Sequence, residues 1–270
     1  MDGRSNQRGV FVWNNYKSWR GVVLRLLADL IDKSVFAELK RHRPEYIVSD
    51  DLSWLDEVIT QIKGNFEPEI CATLLERLPT RYSFIRAFHG CRTDSNHSYL
   101  KHGVLRSDPS ALNGTAFEIF SNRERVETAI RDLAEKDIRT SYEDHNRGKV
   151  FFCLQKEHLI EDCGHYLLYG SEYLLCIANR VGEPEVLRKR GRATVIECNV
   201  PIGDIPQVYL GCLAGQILRE IFEKYCDRTY RSGILIFGFP IATHLAPENI
   251  VAFHNPTSIP NPHNYRLCEN

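Results

Sequence analysis

The chain has 270 residues, 43% hydrophobic and 26% charged, with a formal net charge of −1. These values are those of an ordinary globular protein with enough apolar residues for a real core, and they carry no global signature of nucleic-acid binding. No apolar run approaches the length of a membrane span, so no membrane partner is expected. Nine cysteines contain no C-x-x-C pair, and the polar start from Met1 to Arg8 lacks the apolar core of a secretory signal. Both features point to a reducing compartment, the cytoplasm, and to buried free thiols rather than a disulfide framework or a zinc site.

Between Ser18 and Lys40 the apolar positions Trp19, Val22, Val23, Leu26, Leu27, Leu30, Ile31, Val35 and Leu39 recur at three and four, which predicts one amphipathic helix ended by Pro44. Ser53 to Lys63 and Pro68 to Leu78 carry the same period; Asp51 or Ser53 is a cap for the former and Pro79 a stop for the latter. The first eighty residues are therefore expected to form a helical subdomain without a catalytic constellation, serving as a support, a lid or a partner surface. At Tyr82 the texture changes to strand, through Ser83-Phe-Ile-Arg-Ala-Phe-His89. A strand ending in His89-Gly90 presents an imidazole and an unshielded backbone to a polar ligand. Residues 93–103 are expected to be helical behind the polar turn Thr93 to Asn96. Residues 106–122 are expected to be a loop broken by Pro109 and Asn113-Gly114, and Arg123 to Lys136 a helix. A polar stretch with Tyr142, Asp144 and Asn146 follows.

Gly148 to Gln155 is a strand by β-branched and aromatic content. Gly164-His-Tyr-Leu-Leu-Tyr-Gly-Ser-Glu172 is dense in aromatic and small residues, with Ser171 a cap for a helix from Glu172 and Gly182 its stop. Leu187-Arg-Lys-Arg-Gly-Arg192 is a local basic run, read as a solvated loop. Ala193 to Val200 predicts a strand, Val208 to Tyr225 a helix, and Ile234 to Ile241 and Asn249 to Phe253 two more strands; Tyr265-Arg-Leu267 is a candidate edge. Strands separated by single helices and irregular links predict an α+β fold rather than a doubly wound sheet.

The sequence contains no G-x-S-x-G elbow, P-loop, G-x-G-x-x-G after a strand, or H-E-x-x-H. The ten histidines and nine cysteines do not fall into a familiar metal-ligand spacing, and no metal is expected. A thiol beside an imidazole exists at His89–Cys91, and thiol catalysis there is a minor reading.

Four segments in order carry a resemblance. Phe88-His89-Gly90 followed by a turn, a short helix and His102-Gly-Val-Leu-Arg-Ser107 resembles the opening strand and helix of the ADP-ribosyltransferase fold, with Cys91-Arg92 standing where a small hydroxyl residue is usual. Gly148-Lys-Val-Phe-Phe152 is similar to that family's Gly-x-Ile-Tyr-Phe strand. Val195 to Gly203 is similar to its central structural strand, and Pro247-Glu-Asn-Ile-Val-Ala-Phe253 to the late strand that opens on a catalytic Glu. The resemblance spans residues 82–267. It implies a split mixed and antiparallel sheet over 81–270, with 1–80 as a separate helical subdomain. It also implies NAD as co-substrate, His89 on the adenosine ribose, the Gly90 backbone on the nicotinamide amide, and Phe151 with Tyr166 or Tyr169 against the nicotinamide ring. Arg92 is a candidate for the pyrophosphate. Glu248 is the first candidate for the carboxylate that stabilises an oxocarbenium-like transition state, with Glu172, after Tyr169-Gly-Ser, its rival. The implied activity is a toxin-like, NAD-dependent ADP-ribosyl transfer to a macromolecular acceptor, protein or nucleic acid. NAD hydrolysis, RNA 2′-phosphotransfer by the same fold, and a non-catalytic NAD- or ADP-ribose-binding or interaction module are the alternatives. The N-terminal helices are candidates for binding an inhibitory partner or for self-association.

Overall fold

A computed structural model describes residues 9–42, 47–64, 69–139, 148–227, 229–261 and 267–269. Tyr142, Asp144, Asn146, Tyr265 and Arg266, singled out above, lie outside the described residues. The chain forms β1 (Gly9–Phe11), α1 (Tyr16–Leu26), α2 (Lys33–Arg41), α3 (Ser53–Lys63), α4 (Ile70–Arg81) and β2 (Tyr82–Thr93). The single helix expected over 18–40 is two. Asp32 breaks it, because its carboxylate accepts the backbone N–H groups of Ser34 and Val35 and caps α2, while Asp29 is held by Arg77. α3 has the expected bounds. Pro79 does not stop α4, which continues to Arg81.

The chain continues through α5 (His97–His102), α6 (Pro109–Ile119), α7 (Arg123–Arg139), β3 (Val150–Cys153), α8 (Lys156–Glu161), α9 (His165–Tyr169), α10 (Glu172–Val181), α11 (Pro184–Arg188) and β4 (Arg192–Pro201). α6 replaces the expected loop. Asp108 accepts the Ser110 N–H as an N-cap and Pro109 occupies the first helical turn, where its missing N–H costs nothing, so these residues start a helix rather than break one. Ser171 caps α10 and Gly182 ends it in the left-handed region at φ 83°, as expected. The basic run 187–192 is the end of α11 and the start of β4. α12 (Gln207–Cys226), β5 (Gly238–Ile241), β6 (Ile250–His254), β7 (Ser258–Pro260) and β8 (Leu267–Glu269) complete the chain. β5 is half the expected length; Ile236 is exposed and 234–237 are not strand.

The fold is α+β, and its contacts divide the chain into two units. The first is Met1–Arg86 with Pro201–Leu235, and the second is Ala87–Val200 with Ile236–Asn270. The division expected at residue 80 therefore lies six residues later in the chain, and α12 belongs with the N-terminal helices rather than with the second unit. The reason is packing. Gly215 lets α12 approach the Ser49 backbone so closely that a Cβ would sit 2.1 Å from its carbonyl oxygen, and Phe222 meets the rings of Phe36 and Trp54. In this unit β1 lies parallel to Tyr82–Ile85, and Phe11, Trp13, Trp19 and Tyr82 form an aromatic cluster.

In the second unit the strand order is β5-β3-β2-β4-β6, with β3–β5, β2–β3 and β4–β6 antiparallel. β2, carrying His89 and Gly90, is thus the middle strand, and Phe88 pairs with Cys153. One core lies among α6, α7, α9 and α10, with Val126, Leu133, Leu167, Ile177 and Ala178 buried in it.

Candidate functional site

β2 does not end at His89-Gly90; it runs on to Thr93, and this continuation builds a cleft of about 740 Å³ within the second unit. His89, Phe151, Tyr166, Glu172, Lys149 and Arg190 are among the residues on its walls. His89 is half-buried, and its Nδ1 lies 2.9 Å from the Phe151 carbonyl oxygen. A carbonyl only accepts, so Nδ1 carries the proton and Nε2 holds a lone pair. Burial lowers the imidazole pKa below its ordinary value, against the opposing pull of that carbonyl. Phe151 follows from the β3 alternation: Val150 and Phe152 turn into the core while the Phe151 ring, 37% exposed, stands in the cleft. Its open face offers the cleft a flat apolar surface.

Gly90 is buried, and a Cβ there would meet Leu159 Cδ1 at 3.1 Å, Leu167 Cδ2 at 3.3 Å and Tyr166 Cβ at 3.3 Å. The absent side chain is what lets α9 lie directly on β2 and carry Tyr166 to the cleft. The Tyr166 hydroxyl donates to Glu172 Oε2 at 3.2 Å. Burial, reinforced by that carboxylate, raises the phenol pKa, so Tyr166 stays a donor. Glu172 is exposed, in the first turn of α10. Tyr169 also reaches the cleft but is 8% exposed, and its hydroxyl lies 3.5 Å from Asn261 Nδ2.

Two expected residues stand elsewhere. Glu248 lies in a single 3-10 turn, Pro247–Asn249, packed against α5; it is exposed and is not among the residues lining the cleft. Arg92 borders the cleft, but its guanidinium is committed to the backbone. It donates to the carbonyls of Leu167 at 2.9 Å, Arg188 at 2.8 Å, Arg190 at 2.9 Å and Gly191 at 2.8 Å. It ties β2 to α9 and to the turn after α11, which leaves it no fork for a pyrophosphate. Cys91 is buried 3.6 Å from the Thr194 carbonyl oxygen, and burial pushes its thiol up to about 11, so it is not a thiolate beside His89.

Sequence spacing also missed a cluster. The donor atoms of Cys153, His158 and Cys163 lie within 4.8 Å of one another. Two successive five-residue steps, from the end of β3 across α8, bring them together, a spacing outside the common short motifs. Comparison with family models, curated proteins and solved structures gave no match to this chain.

Proposed function

We propose that the cleft binds NAD and that the protein is an NAD-dependent ADP-ribosyltransferase of the ADP-ribosyltransferase fold, with Glu172 rather than Glu248 as its carboxylate. The observation that carries this reading is the Tyr166–Glu172 pair on the same cleft as His89 and the open Phe151 ring. The cleft volume lies in the range that encloses an organic ligand or cofactor. His89 on a middle strand, with an aromatic on the adjacent antiparallel strand, further supports the resemblance.

In this reading the nicotinamide ring lies on Phe151 and Tyr166, and the Gly90 backbone fixes its amide. The Nε2 lone pair of His89 accepts from a ribose hydroxyl. Lys149 and Arg190 replace Arg92 as the cations for the pyrophosphate. Breaking the nicotinamide–ribose bond releases neutral nicotinamide and leaves oxocarbenium character on the ribose. The Glu172 carboxylate stabilises that charge electrostatically, held in place by the Tyr166 hydroxyl. The acceptor nucleophile then forms the new bond to the ribose carbon and gives up its proton to solvent or to Glu172.

The test is nicotinamide release from NAD by the purified full chain, with and without protein and nucleic-acid acceptors. Glu172→Gln is expected to lower release by roughly 10²- to 10⁴-fold with NAD affinity retained, and Glu248→Gln to leave it unchanged. Release that follows Glu248 and ignores Glu172 would overturn the assignment of the carboxylate. Release with no labelled acceptor would identify a hydrolase. Saturable NAD binding without release would identify a binding module, and no binding at all would remove NAD from the account.

A further inference from the structure

We propose that Cys153, His158 and Cys163 form a Cys2His site for a thiophilic divalent metal of the zinc type, with Asp162 orienting the imidazole and a fourth coordination position left for an exogenous ligand. The argument begins with geometry. All three donor atoms fall within 4.8 Å of each other, and His158 Nε2 lies 3.7 Å from Cys163 Sγ. A tetrahedral zinc with bonds of about 2.3 Å to sulfur and about 2.0 Å to nitrogen sets its donors at about 3.6 Å from one another. The donors need little movement to close on an ion.

The tautomer is also set. His158 Nδ1 lies 3.0 Å from Asp162 Oδ2, so Nδ1–H donates outward and the Nε2 lone pair is aimed at Cys163. A ligating histidine whose other nitrogen donates to a carboxylate is the usual outer-shell arrangement of a metal site. His158 is 6% exposed and Cys153 8% exposed, so the imidazole and one thiol are withdrawn from water, while Cys163 is half-buried and Asp162 open, which gives an entry path. Two thiols and one imidazole are a soft donor set that favours zinc over magnesium or calcium.

The second thiol decides against the neighbouring reading. Cys163, His158 and Asp162 alone resemble a thiol–imidazole–carboxylate relay, but Cys163 does not line the cleft, and Cys153 would have no part in such a relay. Gly164 follows Cys163 where a Cβ would lie 2.7 Å from the Pro260 carbonyl oxygen, so β7 holds the turn that carries Cys163. Cys153 also borders the cleft, which sets the metal in its wall. The inference is independent of the NAD reading, because its readout is spectroscopic.

The experiment titrates reduced, chelator-treated full chain with Co²⁺ and then displaces it with Zn²⁺. The expected result is one equivalent bound, with thiolate-to-cobalt charge transfer and the visible bands of tetrahedral cobalt, bleached by zinc. Cys163→Ser and His158→Ala should each abolish those bands. Asp162→Asn, at an exposed position that does not threaten folding, should weaken affinity about 10- to 100-fold. Absence of tetrahedral bands in the wild type, or bands that persist in Cys163→Ser with an intact circular-dichroism spectrum, would overturn the site. A Cys153–Cys163 disulfide in protein that binds neither metal would assign the pair to redox chemistry instead.

Discussion

His89 shows how one residue couples the stability of the fold to pH. Its folded pKa is held below the ordinary 6.5 by burial, so the fold prefers the neutral ring. The contribution is fully present above the unfolded value and is lost as pH falls from 6.5 toward the lowered folded pKa, because in that window the unfolded chain takes up a proton that the folded chain refuses. Urea midpoints should therefore drop between about pH 7.5 and 5.5 by more in the wild type than in His89→Gln. Equal drops would mean that other groups account for the whole slope. Tyr166→Phe tests the other wall of the cleft. Loss of one hydrogen bond to a carboxylate should cost about 1.5–3 kcal/mol of transition-state stabilisation, read as a fall in kcat of roughly 10- to 100-fold with KM little changed. A change in KM alone would make Tyr166 a binding residue only. His89, Phe151, Tyr166 and Glu172 were legible in the sequence as candidates. The choice between Glu172 and Glu248 was not, since it depends on which turn faces the cleft, and no local pattern encodes that.

Elements here are positioned by close backbone approach, and two residues of the opening motif do that work. Gly103 ends α5 at φ 75°, and a Cβ there would lie 1.8 Å from the Leu245 carbonyl oxygen, beside the backbone pair that Val104 makes with Leu245. At Gly90 the contact is with side chains, so Gly90→Ala should cost about 1–3 kcal/mol by shifting α9 a few tenths of an ångström. Gly103→Ala should be much worse and leave little folded protein, because backbone cannot yield as Leu159 and Leu167 can. Equal stabilities of the two variants by urea denaturation would contradict this ordering. Arg92 is the electrostatic counterpart. Arg92→Met leaves four carbonyls without their donor and should destabilise the chain by about 2–4 kcal/mol, and Arg92→Lys should rescue only part of it, since an ammonium cannot reproduce the planar fork. Sequence pattern located many elements within a few residues, and two of the failures share a cause. Asp32 lies inside an apolar period and Asp108-Pro109 inside a polar stretch, yet each Asp stands two residues before a Ser whose N–H it caps, and that pattern marks a helix start as readily as a loop. Arg92 reads as a ligand residue because nothing in the sequence reveals that four carbonyls converge on it.

At the scale of the molecule, the sequence places the boundary where helices give way to strands, after residue 80, and the packing does not respect that boundary. α12 (Gln207–Cys226) lies far downstream of α4 (Ile70–Arg81) in the chain, yet its partners are N-terminal: Gln216 donates to Ser49 at 2.7 Å, and Phe222 and Tyr225 meet Phe36. Its amphipathic period announces a buried face and cannot say which element covers it. This assigns a consequence to truncation. A chain of residues 81–270 retains all of the candidate site, yet it exposes the α12 face carrying Gly215, Leu218 and Phe222, an apolar surface that favours aggregation. The truncated chain should bind a hydrophobic dye, lose helical signal beyond that of the deleted residues and associate at micromolar concentration, whatever its activity. If it instead remains monomeric with α12 protected from amide exchange, then α12 is held by contacts outside the N-terminal helices. In that case 81–270 folds as an autonomous unit, as the change from helix to strand texture after residue 80 implies.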